Sequence, residues 1–276
     1  MTFSLSVREY LPGNQWRLQI IRLPKITLAL AALSLWVQMP TPSLAQGIPD
    51  FSGMWSDPPP RAEDAFCHVG CPVAARDYLT NLLDDPANLD RTYVELRAEA
   101  QRYMRSELIP SHLTPEALEN YPFNRNTDPS LTACQPWGFT RQILSPHAME
   151  LTQHEDRVTL YYSEWTARRT IYLDGRSPPN DFVPSLLGFS VGHYDGNTLV
   201  VETIGVTANH SNAGFAHSAE LTATERFTRS SDGNRLEVEA TFHDPLTLRE
   251  PIVMARAWAW APTEDIYPYE DCVIPD

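Results

Sequence analysis

Two charged residues fall on strand faces that are otherwise apolar. In the segment 221–227, a period of two places Glu225 on a face formed by leucine, alanine and phenylalanine side chains. In the segment 254–260, Arg256 shares its face with one methionine and two tryptophans. A buried carboxylate has to be paired or to carry a raised pKa. The pattern predicts an interior Glu225–Arg256 pair, which either fixes the strand register or serves acid–base catalysis.

Three further residues extend this candidate catalytic set. Glu202 lies in a strand-like run and faces inward if the apolar residues two positions away on each side do. Arg226 is a second candidate, beside Arg256, for stabilising developing negative charge. His217 follows a glycine-containing loop just before the strand that carries Glu225, and histidine exchanges protons near neutral pH. The alternative for His217 is a solvent-exposed loop histidine without a function.

Aromatic residues in the same half of the chain are candidates for binding a ligand. They are Tyr194, Trp258, Trp260 and Trp165. Each of them has an alternative place in the core or at the rim of the fold. A cavity lined by such rings would suit a small, partly apolar molecule.

The residue types present exclude several kinds of chemistry. Lys25 is the only lysine, so the chain beyond it has none for a Schiff base, for covalent pyridoxal phosphate or for a P-loop. The motif Gly188-Phe-Ser-Val-Gly192 matches a nucleophile elbow, but a hairpin turn follows where the elbow needs a helix. The spacing of His193, His210 and His217 matches no established metal motif. We therefore predict neither a serine nucleophile nor a metal or cofactor site.

Four cysteines favour disulfide bonds. An even number of cysteines after an export signal is typical of a disulfide framework, and four cysteines allow three pairings. We favour Cys67 with Cys71 and Cys134 with Cys272. A metal site formed by Cys67, His68 and Cys71 is the alternative for the first pair.

The N-terminal 45 residues have the features of an export signal. Basic residues precede an apolar run at 26–37, and small residues at 43–45 suit cleavage near Ala45. The run is shorter than the roughly 20 residues that span a bilayer, so a retained anchor is the less favoured alternative. We expect a periplasmic or secreted protein.

Charge narrows the choice of partners. The formal net charge is −14, and it becomes −17 without the first 45 residues, which hold four basic residues and one acidic residue. Such a surface repels nucleic acids and anionic membranes, so we expect a small-molecule ligand or substrate instead.

The elements that must position these residues are mainly strands. Asp195-Gly196 and Asp232-Gly233 lie between strand-like runs and predict hairpin turns, and the runs 158–164 and 168–173 predict another hairpin. Apolar residues recur at helical spacing in a region of about 73–120. We place its second helix after Asp90 as N-cap and start another helix at Thr114-Pro115. The sequence predicts a single domain, 46–276, formed by an antiparallel β-barrel or strongly curved sheet, lipocalin- or calycin-like, with an α-helical insert.

Several motifs recur together between Cys134 and Cys272. They are CQPWGFTR at 134–141, RTIYLDGR at 169–176, GFSVG at 188–192, DGNTLVVET at 195–203, HSAEL at 217–221, ER at 225–226 and EDC at 270–272. In combination they resemble a large, poorly characterised group of exported bacterial proteins with a C-terminal lipocalin-like barrel region. His193-Tyr194-Asp195 stands where that group more often has Arg-Trp-Glu. The resemblance implies that the barrel, the loop at His217 and the two late cysteines belong together, and it implies no reaction mechanism.

Two functions fit these observations. The first is an exported enzyme that performs acid–base catalysis on a small molecule in a barrel cavity, as a lyase, dehydratase or isomerase. The second is a non-catalytic carrier of a small apolar ligand, for which the interior ion pair would be closed. A glycan hydrolase ranks third, because it needs two carboxylates about 5 to 9 Å apart, for which Glu202 and Glu225 are the candidates.

Overall fold

The computed structural model divides into two compact units, Met1–Ala45 and Gln46–Asp276. It describes residues 6–11, 15–20, 48–57, 61–119, 121, 124–209, 215–267 and 272. In the first unit, β1 (Ser6–Leu11) and β2 (Gln15–Ile20) pair as antiparallel strands. The apolar run of the predicted export signal and its cleavage position lie outside the described residues.

Nine strands of the second unit close into a barrel. The strands of this unit are β3 (Gly53–Ser56), β4 (Cys71–Pro72), β5 (Met149–Gln153), β6 (Arg157–Tyr162), β7 (Arg168–Tyr172), β8 (Phe189–Asp195), β9 (Thr198–Ile204), β10 (Thr222–Arg229), β11 (Arg235–His243) and β12 (Ile252–Trp260). Around the barrel the order is β3, β5, β6, β7, β8, β9, β10, β11 and β12, and β12 pairs with β3 to close it. The short β4 lies outside this circle and pairs with β12. The predicted β-barrel with helices is thereby confirmed.

Alternating side chains and tight turns explain why these runs form a barrel. From Leu236 to Phe242 every second residue of β11 is buried, as a strand with one face on the core requires. The two Asp-Gly sequences form the turns between β8 and β9 and between β10 and β11. Gly196 and Gly233 have φ values of 57° and 75°, a region that glycine enters without steric cost. Both predicted hairpins are confirmed.

One pairing departs from the expected antiparallel pattern. The predicted hairpin of β6 and β7 forms, with Arg157 opposite Tyr172. β7 and β8, however, run parallel, with Ile171 opposite Ser190. Parallel neighbours need a crossover connection, and the proline-containing segment 173–188 provides it. The barrel is therefore mixed.

Helices fill the chain between β3 and β5. They are α1 (Ala62–Phe66), α2 (Val73–Asp84), α3 (Tyr93–Tyr103), α4 (Ile109–His112), α5 (Pro115–Glu119), α6 (Pro129–Thr132) and α7 (Phe139–Gln142), with a 3-10 turn at Pro86–Asn88 and a π turn at Met104–Leu108. α5 begins at the predicted Pro115. α3 begins later than predicted, because Thr92 and Glu95 form a capping box, so Asp90 is not its N-cap.

Two disulfides and an ionic contact fasten the helical region and the C-terminus. Cys67 pairs with Cys71, and Cys134 pairs with Cys272 across a Cα–Cα distance of 5.8 Å, as the sequence predicted. Arg235 of β11 forms a 2.7 Å ion pair with the buried Asp64 of α1. Disulfides of this kind indicate a non-cytoplasmic compartment. In the described ranges, no helix has both the length and the apolar character that crossing a membrane requires.

Candidate functional site

The barrel interior contains a sealed ion pair between Glu225 and Arg169. Glu225 lies on the inward face of β10, as predicted, and both side chains are at most 1 % exposed. Nη1 of Arg169 donates to Oε1 of Glu225 at 2.9 Å, and Nη2 donates to Oε2. The predicted Glu225–Arg256 pair is therefore wrong. The parallel crossover explains the difference, because it places β7 where its arginine reaches β10 across the interior.

Polar neighbours complete the coordination of Arg169. Nε donates to the hydroxyl of Ser190 at 3.1 Å, Nη2 donates to that of Thr203 at 2.8 Å, and Tyr162 is a further hydrogen-bond partner. Burial raises the pKa of Tyr162 to about 12. Burial acts to lower the pKa of Arg169, but the carboxylate of Glu225 outweighs it and raises that pKa. A satisfied, solvent-free network of this kind specifies packing, and Ser190 of the Gly-x-Ser-x-Gly motif belongs to it.

Arg256 is buried as predicted but supports a different part of the molecule. Its Nε and Nη2 donate to the carbonyl oxygens of Ser145 and Pro146 at 3.3 and 3.2 Å, and Nη1 donates to that of Ala257. Burial lowers the pKa of Arg256 to about 10, which leaves the group charged at neutral pH. Arg256 therefore holds the backbone that leads into His147.

The remaining predicted catalytic residues lie apart from one another. Glu202 is exposed on the outer face of β9, because Val201 and Thr203 take the inward positions, so the inward orientation expected for it is wrong. Arg226 is half-exposed and lies 3.4 Å from the carboxylate of Asp195 on the outer surface. A glycan-hydrolase pair of Glu202 and Glu225 is excluded by this placement, since the two carboxylates lie on opposite faces of the barrel wall.

His217 is buried rather than exposed. It is 2 % exposed, its Nδ1 lies 3.0 Å from the carbonyl oxygen of Ser218, and its backbone pairs with Asn209. The solvent-exposed alternative is therefore wrong. The carboxylate of Asp244 accepts two hydrogen bonds from the adjacent Ser218, one from the backbone N–H of Ser218 at 2.6 Å and one from its hydroxyl at 2.7 Å. His210 lies outside the described residues.

The four aromatic residues predicted to bind a ligand lie in three different parts of the structure. Trp258 is fully buried in the core, and Trp260 packs edge-to-face against Trp55 with ring centres 5.1 Å apart. The hydroxyl of Tyr194 accepts a 2.7 Å hydrogen bond from Gln153 at the edge of the barrel. Trp165 lines a pocket outside the barrel interior.

This pocket, which we call the side pocket, has a volume of about 200 Å³. It lies where the segment of α6 and α7 meets the connection between β6 and β7. Its lining residues include Ser130, Trp137, Arg141, His147, Glu164 and Trp165. Ionisable, hydroxyl and indole groups thus converge on one small space, which is the usual composition of a ligand site.

A buried carboxylate orients an exposed imidazole on the wall of the side pocket. The side chain of Glu164 is 5 % exposed and that of His147 is 64 % exposed. Oε1 of Glu164 pairs with Nδ1 of His147, and the hydroxyl of Ser145 donates to Oε2. The same hydroxyl oxygen accepts a 3.2 Å hydrogen bond from the backbone N–H of His147. The contact places the carboxylate at Nδ1, so Nε2 is the ring nitrogen that does not face Glu164.

Opposing effects act on the pKa of His147. Burial lowers its pKa, Asp57 opposes that change and Arg256 adds to it. The contact with Glu164 acts in the opposite direction to burial, because a carboxylate favours the imidazolium. The carboxylate behind the ring stabilises the imidazolium that forms when the ring accepts a proton.

Arg141 provides a fixed cation in the side pocket. Its guanidinium carbon lies 3.8 Å from the ring centre of Trp137, and Nη1 donates to the hydroxyl of Ser130 at 3.1 Å. Asp128 lies 3.9 Å away and accepts a hydrogen bond from the backbone N–H of Ser130 at 2.9 Å. Burial lowers the pKa of Arg141 to about 10, although Asp128 acts against this, so the group stays charged at neutral pH.

Strained backbone borders the same pocket. Trp165 and Thr166 have φ values of 57° and 46° inside the 3-10 turn Glu164–Thr166. Non-glycine residues in this region cost about 1–3 kcal/mol each and occur most often at functional sites. The strained turn brings the indole of Trp165 and the carboxylate of Glu164 to the same side pocket.

Sequence patterns contain only weak signals for this pocket. Glu164 falls at the end of a strand-like run that predicts it within the strand, but the strand ends at Tyr162. His147 follows a Ser-Pro turn without any periodic pattern. Arg141 and Trp137 do belong to the motif at 134–141, and Trp165 is one of the aromatic residues predicted to bind a ligand, so the sequence indicates these three lining residues.

Comparisons with known proteins leave the site to be interpreted from its own geometry. No protein-family model matches the chain, and no curated protein or solved structure does so either. Within the described ranges, no group of three or more histidine, cysteine, aspartate or glutamate side chains is arranged to hold a metal ion.

Proposed function

We propose that this protein is an exported enzyme that performs acid–base catalysis on a small molecule in the side pocket, as a lyase, dehydratase or isomerase. The observation that carries the proposal is the exposed imidazole of His147, held at Nδ1 by the buried carboxylate of Glu164. A carboxylate behind a histidine fixes the tautomer and stabilises the imidazolium that forms when Nε2 accepts a proton.

The proposed reaction begins with transfer of a proton from a substrate C–H bond to Nε2 of His147. In an isomerisation the proton on His147 exchanges with solvent, and His147 then returns a proton to another carbon of the substrate. In a dehydration it leaves with the departing hydroxyl group as water. The cation of Arg141 stabilises the negative charge that the substrate develops when the proton leaves.

The closed Glu225–Arg169 pair supports placing the chemistry in the side pocket and not in the barrel. Its atoms are satisfied by one another and by hydroxyl groups, and it is shielded from solvent. A general base must reach the proton that it abstracts. We therefore assign Glu225 and Arg169 a structural role.

Deuterium exchange tests the proposal whichever net reaction follows the proton transfer. The mature protein is incubated in D2O with small carboxylates, ketones and hydroxy acids, and loss of C–H signal is followed by proton NMR. Wild type should exchange at least one compound, and His147→Gln should lower that rate by roughly 100-fold or more. His193→Gln, at an exposed position on the outer face of β8, is the matched control and should behave as wild type. Equal rates in wild type and His147→Gln would contradict the proposal.

A carrier of a small ligand is the second candidate. Leu131, Trp137, Trp165 and Tyr267 give the side pocket an apolar lining that could hold a ligand without reaction. A carrier would bind a compound from the same panel and release it with no deuterium incorporated.

We also propose that the chain belongs to the group of exported bacterial proteins that it resembles and that it acts in the periplasm or outside the cell. The disulfide between Cys134 and Cys272 joins the two ends of the region of resemblance, which supports treating that region as one unit. Mass determination of the exported protein would test cleavage near Ala45.

A further inference from the structure

We propose that Ser145 and Arg256 are positioning residues, which hold the imidazole of His147 in the orientation that proton transfer requires. This inference rests on the proposed function and extends the site inward, since neither side chain is among those that line the side pocket. Ser145 acts on His147 directly and through Glu164, whereas Arg256 acts through the backbone of residues 145–146.

Ser145 joins both partners of the contact between His147 and Glu164. Its side chain is buried, and its hydroxyl group serves as a donor and as an acceptor at the same time. It donates to Oε2 of Glu164 and accepts a 3.2 Å hydrogen bond from the backbone N–H of His147. The carboxylate is thereby held at Oε2 while Oε1 faces the imidazole. Glu164 cannot turn away from the ring without leaving a buried polar group unsatisfied.

Arg256 fixes the piece of chain from which Ser145 and His147 extend. Its Nε and Nη2 donate to the carbonyl oxygens of Ser145 and Pro146 at 3.3 and 3.2 Å. A planar guanidinium presents these donors in a rigid fork, so one side chain holds two consecutive peptide groups. The ring of Pro146 also restricts the backbone between Ser145 and His147, because it fixes φ. The ring of His147 therefore starts from an immobile backbone.

The burial of Arg256 argues for a role beyond packing. The side chain is 1 % exposed, and within the described part of the chain its hydrogen bonds go to carbonyl groups and not to a carboxylate. Burial lowers its pKa although Asp57 and Asp64 act against this change, so the surroundings disfavour the charge. A hydrophobic side chain of similar volume commonly packs at least as stably as a buried charge. The hold of the guanidinium on residues 145–146 explains why a cation occupies this place.

The order of the imidazole tests this positioning without any substrate. Carbon-13 relaxation measured by NMR gives an order parameter for the ring C–H bonds of each histidine. In the wild type the half-exposed ring of His147 should have a value of about 0.85, as in rigid backbone, whereas the exposed His193 should fall below about 0.6. Ser145→Ala and Arg256→Met should each lower the value for His147 to about 0.6 or less.

Ser190→Ala is the matched control for Ser145→Ala. Ser190 is also a buried serine whose hydroxyl bonds to a charged side chain, that of Arg169, but it lies in the barrel interior. Its replacement should leave the order parameter of His147 unchanged.

Deuterium exchange at several compound concentrations separates positioning from binding. Ser145→Ala should lower the maximal exchange rate by roughly 10- to 100-fold, because a misdirected base rarely reaches the proton. The half-saturating concentration of the compound should stay the same, since the hydroxyl of Ser145 contacts the support of the base and not the compound. Ser190→Ala should leave both quantities unchanged.

Each outcome decides between a positioning role and a purely structural one. An unchanged order parameter of His147 in folded Ser145→Ala, or loss of order with an unchanged exchange rate, would overturn the proposal. If Ser145→Ala does not fold, the wild type decides, because a His147 ring as mobile as that of His193 would overturn it as well. Loss of order in the variants, combined with no exchange by the wild type, would instead refute the proposed function and leave the orientation of His147 by Ser145 and Arg256 standing.

Discussion

Replacing Glu225 by glutamine would leave the guanidinium of Arg169 in the barrel interior without its counter-charge. Both side chains are at most 1 % exposed, so water cannot take over the role of the carboxylate. Breaking a buried ion pair from one side typically costs about 3–5 kcal/mol, a large part of the roughly 5–15 kcal/mol that stabilises a domain. We expect Glu225→Gln to lower the free energy of unfolding by about that amount.

Replacing both partners should restore much of the loss. In Arg169→Met combined with Glu225→Leu, no unpaired charge is buried, and Ser190 and Thr203 still hydrogen-bond to each other at 3.0 Å. We expect the double variant to be more stable than Glu225→Gln by about 2 kcal/mol or more.

Urea unfolding followed by tryptophan fluorescence gives the free energies for this comparison. Glu202→Gln, on the outer face of the barrel, is the matched control and should change stability by less than about 0.5 kcal/mol. The structural role of Glu225 is refuted if Glu225→Gln is as stable as the wild type but loses deuterium exchange, because Glu225 would then be catalytic.

Three further predictions concern the disulfides, the strained turn and alkaline stability. Replacing Cys134 and Cys272, which are 138 residues apart, by serine should lower the free energy of unfolding by about 5 kcal/mol. Replacing Cys67 and Cys71, which are four residues apart, should lower it by about 2 kcal/mol. Urea unfolding of the two variants gives the order of the two losses, and the reverse order would contradict the loop-entropy argument. Trp165→Gly should change stability by no more than about 1 kcal/mol, because relief of the φ of 57° offsets the lost indole, yet it should lower the rate in the deuterium-exchange assay. An unchanged rate would remove Trp165 from the site. Folded protein keeps the proton of Tyr162 up to a pKa of about 12, whereas the unfolded chain loses it near pH 10. The contribution of Tyr162 to the free energy of unfolding is therefore fully present below about pH 10 and falls by up to about 3 kcal/mol towards about pH 12. Tyr162→Phe should lack this part of the decline when urea unfolding is compared at about pH 9 and about pH 11.5. An identical decline in the wild type and in Tyr162→Phe would contradict this prediction.

Local patterns predicted the parts of the fold that local forces determine. The burial of Glu225 and Arg256 follows from strand alternation, and the two hairpins follow from Asp-Gly turns. The partner of Glu225 could not be predicted in this way, because Arg169 reaches it only after the parallel crossover and barrel closure have set the order of the strands. Long-range register of this kind has no signature in the alternation of one strand.

Glu202 shows why a one-residue ambiguity matters. Val200 and Val201 are both buried although they point to opposite faces, so the apolar run in β9 fits either register. The inward orientation predicted for Glu202 belongs to the wrong register, and every side chain of the strand changes face with it.

The side pocket escaped prediction because its residues lie in connections and short turns and not in periodic elements. His147, Glu164 and Arg141 come from three separate places in the chain, which the barrel and the segment before it bring together. Such loop residues carry function more often than periodic ones, but their spacing in sequence does not reveal their contacts.

The most direct test of the proposed active site compares His147→Gln and His217→Gln in the deuterium-exchange assay. His217 is the histidine that sequence alone favoured, and it is buried near the barrel wall, whereas His147 opens onto the side pocket. We predict that His147→Gln loses exchange and that folded His217→Gln retains it. Loss of exchange in His217→Gln with full exchange in His147→Gln would contradict the placement of the active site.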